Sequence, residues 1–554
     1  MDKQKLYTTP RFANFRELLL YCTEQFKSRP AFQIKEATGS YRYIMYKDLI
    51  KQYYSLCVDF IRKGLLGKRI AVIGVNSYGW VLSYLCAATV GVAVPIDKEL
   101  HADDIHAFLD SAECSAICAD DNIFEALQPA CMDQRLRYSL SDIRNIECHY
   151  TEAEKNQIDT LEIPRDEMRV LLFTSGTTGH AKGVCLSQNN ICANIYSTVQ
   201  MVKIKKSDVT ISILPLHHTY ECTLNCLLML SRGSCISFCE GLTKIAKNVL
   251  EYNPSIMVVV PALLSALCKR IRKKLSKECP VKYRAAFEQK SLAEALSEVP
   301  FIVRKIICAK VKKSLGGKLR LFIVGAADLD TSLIDDFSAL GIRTLQGYGL
   351  TECSPLVAGN SDFFLNPRST GRAIPGVTIK IVNPNDSGIG EIAAKGENIM
   401  LGYYKDEAGT KAVMNDGFFY TGDLGYIDEQ GALYIMGRKK NVIVTNNGKN
   451  IYPEELETRL SKNEAISESL VIAANDKNGE VCVKAKILPN TDFIKEQLGR
   501  LPSFEDIYSF IETAIDEINS KMPSYKHIRI MEILEKGLER TTTQKIKRFG
   551  PNLA

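Results

Sequence analysis

Apolar positions change their spacing twice along the 554-residue chain. In the first part, short unbroken apolar runs alternate with stretches whose apolar residues recur every three to four positions. Residues 15–26 read as an amphipathic helix, 69–75 as a short buried strand, 79–90 as a helix and 92–95 as the start of another strand. The strand pattern recurs at 170–173, 209–214, 256–260 and 319–324. Strands alternating with helices predict a mostly parallel sheet covered on both faces. From about residue 350 to 434 the strands shorten. Turn sequences such as Asn383-Pro384-Asn385-Asp386 and Asn415-Asp416-Gly417 separate them, which predicts a small antiparallel barrel or sheet. After Gly437 a cationic stretch leads into a last segment that reads helix (453–460), strand (469–474), strand (481–487), helix (504–522). This is the pattern of a small α+β domain on a linker. No internal repeat and no low-complexity tract interrupts the scheme.

Composition narrows the class. The length allows two to four cores, and 46% hydrophobic with 24% charged residues is the balance of a soluble globular protein. The net charge of +6 is mild, and no aromatic-interleaved basic stripe appears, so a nucleic-acid partner is not expected. A polyanionic small ligand or an acidic lipid surface fits it. The first residues lack the apolar core of a signal peptide, and the apolar stretches 84–96 and 256–267 are too short to span a bilayer. Eighteen cysteines include no C-x-x-C pair. Several fall in apolar runs, which predicts buried free thiols in a reducing cytoplasm. Seven histidines show no metal-ligand spacing. Any metal ion is then expected to arrive with a ligand.

The strongest local signal is residues 171–183, LLFTSGTTGHAKG. A buried strand runs into Thr174-Ser175-Gly176-Thr177-Thr178-Gly179, followed by Lys182 and Gly183. Glycines let backbone N–H groups face phosphate oxygens, hydroxyls add neutral donors, and Lys182 adds a point charge. It is not a Walker loop, since no Gly-Lys-Ser or Gly-Lys-Thr follows. A flexible surface loop is the bland alternative, but such loops rarely follow a buried strand with a lysine at this offset.

This loop resembles the hallmark of the adenylate-forming superfamily, which includes acyl-CoA synthetases, peptide-synthetase adenylation domains and firefly luciferases. Further blocks follow in the family's order between about residues 15 and 548. The resemblance implies a large N-terminal domain (1–439) of distorted, mostly parallel α/β subdomains plus a small β-barrel. A small, mobile α+β C-terminal domain (440–554) would follow. Gly325-Ala326-Ala327 matches a small-residue segment beside adenine. In Gln346-Gly347-Tyr348-Gly349-Leu350-Thr351-Glu352, the resemblance gives Tyr348 the stacking role, Thr351 a contact to the α-phosphate and Glu352 the Mg²⁺. In Tyr420-Thr421-Gly422-Asp423 and Gly437-Arg438, Asp423 and Arg438 would bind ribose, with Ile435 packed against the nucleoside. Lys440 matches the interdomain hinge, and Gly448-Lys449 the loop that meets the pantetheine arm. Lys545, in Leu538-Glu539-Arg540-Thr541-Thr542-Thr543-Gln544-Lys545, matches the catalytic lysine, although the pattern departs at Glu539, Arg540 and Gln544.

The implied chemistry is ATP-dependent formation of an acyl-AMP, then transfer of the acyl group to a thiol. ATP, Mg²⁺ and coenzyme A would serve. Leu214-Pro215-Leu216-His217-His218-Thr219-Tyr220-Glu221 occupies the acid-pocket motif and lacks the aspartate with which amino-acid-activating domains pair an amine. His217-His218-x-x-Glu221 resembles the long-chain acyl-CoA synthetase version, with His218 at the position that lines the acyl pocket, so a fatty acid is the expected substrate and free coenzyme A the expected acceptor. An acyl carrier protein is the alternative acceptor, and a non-catalytic nucleotide- or lipid-binding module is the alternative of another class. The basic run Lys269-Arg270-Ile271-Arg272-Lys273-Lys274 reads either as a solvated helix face or as a surface meeting acidic lipid at the inner membrane face.

Overall fold

The computed structural model describes residues 5–127, 135–174, 181–327, 329–445, 449–477, 479–539, 546 and 548. The chain divides into two compact units, residues 1–379 with 394–419, and residues 380–393 with 420–554.

Two sheets build the first unit. One runs in the order Arg372–Ala373, Leu356–Gly359, Arg343–Gly349, Leu321–Val324, Ile256–Val259, Val209–Ser212, Cys235–Phe238, Pro30–Lys35, Tyr41–Met45. Its six middle strands are parallel and its edges antiparallel. The other runs Gly402–Tyr403, Lys182–Leu186, Val170–Thr174, Val92–Ile96, Arg69–Ile73, Cys114–Ala119, Leu136–Ser139. It is parallel from Val170–Thr174 onward. The alternating pattern therefore folds as expected. The helix Phe15–Phe26 starts where the Asn14 side chain accepts the Glu17 N–H, and it buries Phe15, Leu18, Leu19 and Cys22 along one stripe. The helix Tyr78–Val90 is buried on every side; it has no charged residue, and its Ser83 and Thr89 hydroxyls donate to the helix's own Gly79 and Leu85 carbonyls. The strand at 69 ends at Ile73, short of the expected 75, because Asp120 takes over. Its carboxylate accepts the Val75 N–H at 2.6 Å, and a Cβ on Gly74 would stand 2.6 Å from the same oxygen.

Between the strands Ile256–Val259 and Leu321–Val324 lie four helices, Pro261–Glu278, Val281–Gln289, Leu292–Ser297 and Phe301–Ser314. Leu264, Cys268, Phe287, Leu292 and Ile307 help give them a core continuous with one face of the neighbouring strands.

Leu433–Arg438 pairs antiparallel with Phe418–Ile427, as the turns predict, although the latter strand is ten residues long rather than short. A three-stranded sheet of Ile466–Asn475, Val481–Pro489 and Ile528–Ile533 follows, with helices Pro453–Leu460, Thr491–Leu498 and Phe504–Ser520. Ser503 and Asp506 form a reciprocal cap at the start of the last helix. Cysteines behave as the apolar runs predict: all 17 described are free, and most are buried. Among the described residues, no helix is long and apolar enough to cross a membrane.

Candidate active site

Two paired strands flank the Ser/Thr/Gly motif. Strands Val170–Thr174 and Lys182–Leu186 pair antiparallel, with Thr174 opposite Lys182 and Phe173 opposite Gly183. Ser175, Gly176, Thr177, Thr178 and Gly179 lie outside the described residues. Lys182 Nζ stands 4.5 Å from the centroid of the Tyr403 ring. On the same tyrosine, the hydroxyl donates to Glu352 Oε1 at 3.0 Å. Tyr403 thus joins Lys182 to a carboxylate that sequence reading had linked to it only by family order. Sequence reasoning missed Tyr403. Its only signal is an aromatic in a two-residue strand, Gly402–Tyr403, whose pairing with Val184 and Cys185 is long-range.

A second group gathers where two parallel strands end. Val324 pairs with Gln346, so Gly325 and Ala326 emerge beside Gly347 and Tyr348. Ala326 adopts φ +71°, the left-handed region that non-glycine residues rarely enter and that clusters at functional sites. A Cβ on Gly349 would lie 1.9 Å from the Pro355 carbonyl oxygen, so only glycine fits there. Thr351 and Glu352 follow in a single 3₁₀ turn, Thr351–Cys353. The Tyr220 hydroxyl donates to the carbonyls of Val259 (3.2 Å) and Ile323 (3.1 Å), and a Cβ on Gly325 would be 3.2 Å from its ring.

Tyr220 opens a π-helix, Tyr220–Leu227, a wide turn often found at functional sites. Glu221 is fully buried on it, and Asn225 donates to its Oε1 at 2.7 Å. Burial pushes the Glu221 carboxyl up to about 8, against hydrogen bonds that favour its charged form. His217 and His218 stack edge-on, 4.0 Å between ring centroids. His217 Nε2 lies 3.5 Å from Asp97 Oδ2. Burial, with Lys98 nearby, pushes His217 down to about 4, so this imidazole is neutral at physiological pH. Asn76 holds the preceding loop by donating to the Leu214 carbonyl (2.6 Å) and accepting the Leu216 N–H (3.0 Å). Asp97 and Asn76 are further residues that the motif alone did not single out.

In the second unit, Asp423 and Arg438 sit directly opposite across the strand pair, with Arg438 Nε 2.7 Å from Asp423 Oδ1. Asp423 is buried, while Arg438 is partly exposed. Ile435 lies on the same strand, opposite Gly425. Burial lowers the pKa of Lys440, as do the charges of Arg438 and Arg548. Lys449 is exposed, and its carbonyl accepts the Thr445 N–H at 3.0 Å. Gly448 and Lys545 lie outside the described residues. The first unit therefore carries Thr174, Lys182, Gly325, Ala326, Gly347, Tyr348, Gly349, Thr351, Glu352, His218 and Glu221. The second carries Asp423, Ile435, Arg438, Lys440 and Lys449.

The family model described as AMP-binding enzyme matches residues 22–404, and that of the AMP-binding enzyme C-terminal domain matches 440–549. The chain belongs to the AMP-binding enzyme family. This AMP-binding enzyme is 28% identical over 485 residues to the long-chain-fatty-acid–CoA ligase 1 of Cavia porcellus, covering 80% of the chain and 69% of the relative. It is 25% identical over 527 residues to the long-chain-fatty-acid–CoA ligase FadD15 of Mycobacterium bovis, covering 87% and 86%. Among solved structures it is similar to ATP-bound MatB from Rhodopseudomonas palustris, with TM-score 0.73, 24% identity and 97% of each chain covered. It is also similar to the o-succinylbenzoate CoA synthetase MenE of Bacillus subtilis in complex with OSB-AMP, with TM-score 0.74, 19% identity and 96% of each chain covered. These likenesses establish the adenylate-forming fold.

Proposed function

We propose that this AMP-binding enzyme activates a medium- to long-chain fatty acid with ATP as its acyl-AMP and then transfers the acyl group to coenzyme A, releasing pyrophosphate and AMP. The observation that carries the reading is the Lys182–Tyr403–Glu352 arrangement. It sets a phosphate-loop cation and a hard oxygen ligand on one aromatic, where a triphosphate needs both. The long-chain ligases among its relatives supply the substrate class.

The residues fit the groups this chemistry uses. Glu352 offers one carboxylate oxygen beyond the one that Tyr403 engages. No cluster of three or more His, Cys, Asp or Glu among the described residues is arranged to hold a metal ion. Mg²⁺ would therefore be held by Glu352 and by the phosphate oxygens that bring it in, its usual mode. There it would neutralise charge on the departing pyrophosphate.

A carboxylate is a poor electrophile because its oxygen leaves badly. Conversion to a mixed anhydride with AMP supplies a good leaving group, and the displacement demands positioning and charge stabilisation more than covalent help from the protein. Thr351 would contact the α-phosphate, Tyr348 the base, and Asp423 with Arg438 the ribose. Lys545 would bridge the incoming carboxylate and the α-phosphate. For thioester formation, Gly448-Lys449 would admit the pantetheine thiol. Residues 440–554 would then form a domain that pivots at Lys440. The acid would lie along the wall that His218 and Glu221 help form. That wall has no aspartate at the motif position for pairing an amine, which favours a fatty acid over an amino acid. The free, mostly buried thiols support a reducing, cytoplasmic setting.

Pyrophosphate exchange across a panel of acids tests the substrate class, followed by AMP release with coenzyme A or acyl carrier protein as acceptor. Medium- and long-chain fatty acids should exchange fastest, and coenzyme A should drive turnover. Faster exchange with acetate or an amino acid overturns the substrate class. Turnover only with carrier protein would make the enzyme an acyl-carrier-protein synthetase.

A further inference from the structure

Charge is distributed very unevenly along this chain. Residues 261–320 contain sixteen Lys and Arg against four Glu, a net of +12, while the whole chain carries +6. The remainder of the protein is therefore net acidic, and these sixty residues are an isolated basic body. They are the four-helix insertion between the strands Ile256–Val259 and Leu321–Val324.

The helix Phe301–Ser314 carries the second observation. Its inner side is apolar, with Ile307 and Val311 buried in the core of the insertion. Its outer side is apolar as well. Phe301 is 59% exposed, Ile302 72% and Ile306 63%. Single exposed hydrophobics are ordinary, but three large ones within two turns need a partner. The helix has five cations (Arg304, Lys305, Lys310, Lys312, Lys313) and no acid. Lys305 Nζ lies 4.4 Å from the Phe301 ring centroid, so charge and apolar surface meet on one patch. Val281, which opens the second helix of the same insertion, is 77% exposed.

We propose that the outer face of Phe301–Ser314 docks on an anionic phospholipid surface. Exposed Phe and Ile interleaved with Lys and Arg match the two halves of such an interface: apolar side chains enter the acyl boundary while cations meet lipid phosphates. A second copy of the chain fits worse, because joining two such faces sets +12 against +12. An acidic protein would satisfy the cations but gives no reason for large apolar side chains to stand out from a convex helix. The proposal does not depend on which acid is activated, and its test reads binding rather than turnover.

The test is co-sedimentation of the full chain with vesicles of phosphatidylcholine alone, or with about one-third phosphatidylglycerol. Binding should require the anionic lipid and fall in high salt. The exposed-face variant F301S/I302S/I306S and the charge variant K305E/K313E should each bind about tenfold more weakly. Both should keep the melting temperature and the turnover of the wild type in detergent-free buffer with a soluble medium-chain acid. Equal vesicle binding by wild type and both variants overturns the proposal. So does absence of wild-type vesicle binding, whether the patch then proves to join two copies of the chain or to capture an acidic carrier protein.

Discussion

Glu221 and Tyr403 show how single residues set the properties of this site. Glu221 has lost water on all sides, so its proton is held up to about 8, against 4.5 for the ordinary group. Between those values the unfolded chain has released the proton while the folded chain keeps it, so this group's contribution to stability falls as pH rises through that window. His217 acts in the opposite sense. Its folded value of about 4 lies below 6.5, so its contribution grows with pH only up to about 6.5. Above that, Glu221 alone of the pair still titrates. Glu221→Gln keeps the shape and removes the proton, so its stability relative to wild type should improve by roughly 1.4 kcal/mol per pH unit between pH 6.5 and 8. Urea unfolding at a series of pH values measures this; parallel curves would show that Glu221 is not held protonated. Tyr403→Phe keeps the ring beneath Lys182 and deletes the hydroxyl that orients Glu352. The loss of about 1 kcal/mol expected for one such hydrogen bond is roughly fivefold in kcat/KM, with a higher Mg²⁺ concentration for half-maximal rate. An unaltered Mg²⁺ titration would remove Tyr403 from the site.

At the scale of elements, local signals carried the framework and long-range contacts were invisible. Residues 15–26 and 453–460 read correctly because a cap or a proline marks the start and a stripe of apolar side chains marks the face. The strand at 170–174 was legible because it runs directly into the glycine-rich motif, whereas its antiparallel partner Lys182–Leu186 was not read. Tyr403 was not, because its partners Lys182 and Glu352 lie 221 and 51 residues away in the chain. The π-helix at 220–227 escaped as well, since π and α turns share the same apolar composition. The sequence also gave no sign of how the C-terminal residues are held. Glu457 on the helix Pro453–Leu460 accepts the Val471 N–H at 2.7 Å and pairs with Arg548, which donates in turn to the Val471 carbonyl at 3.3 Å. Glu454 joins the same group, accepting from Asn441 at 2.6 Å beside Lys440. Glu457→Ala leaves a half-buried guanidinium without its main partner and should cost roughly 1–3 kcal/mol. Glu457→Gln retains an acceptor for Val471 and should cost less. Urea unfolding ranks the two; equal losses would mean that the carboxylate does not anchor Arg548.

At the scale of the whole molecule, the resemblance assigns separate tasks to two loops in the C-terminal region. Lys545 matches the residue that assists acyl-AMP formation, and Gly448-Lys449 the loop that receives the thiol. Both tasks would act on one acyl group, the first at its carboxylate oxygen and the second at its carbonyl carbon. Water must also be kept from the acyl-AMP between the two steps, which favours two different closed arrangements over one open site. The proposal that residues 440–554 turn about Lys440 meets both requirements and makes the half-reactions separable. Lys545→Ala should abolish acyl-AMP formation while leaving conversion of supplied acyl-AMP to thioester. Gly448→Leu should do the reverse, because a side chain there would obstruct the thiol. Lys440→Pro fixes φ at the pivot, so one half-reaction should survive while the coupled reaction fails. Each half-reaction is measured alone, by pyrophosphate exchange and by thioester formation from synthetic acyl-AMP. Equal damage to both steps by Lys545→Ala and by Gly448→Leu would rule out alternation, because a single fixed arrangement gives neither residue a reason to serve one step and spare the other.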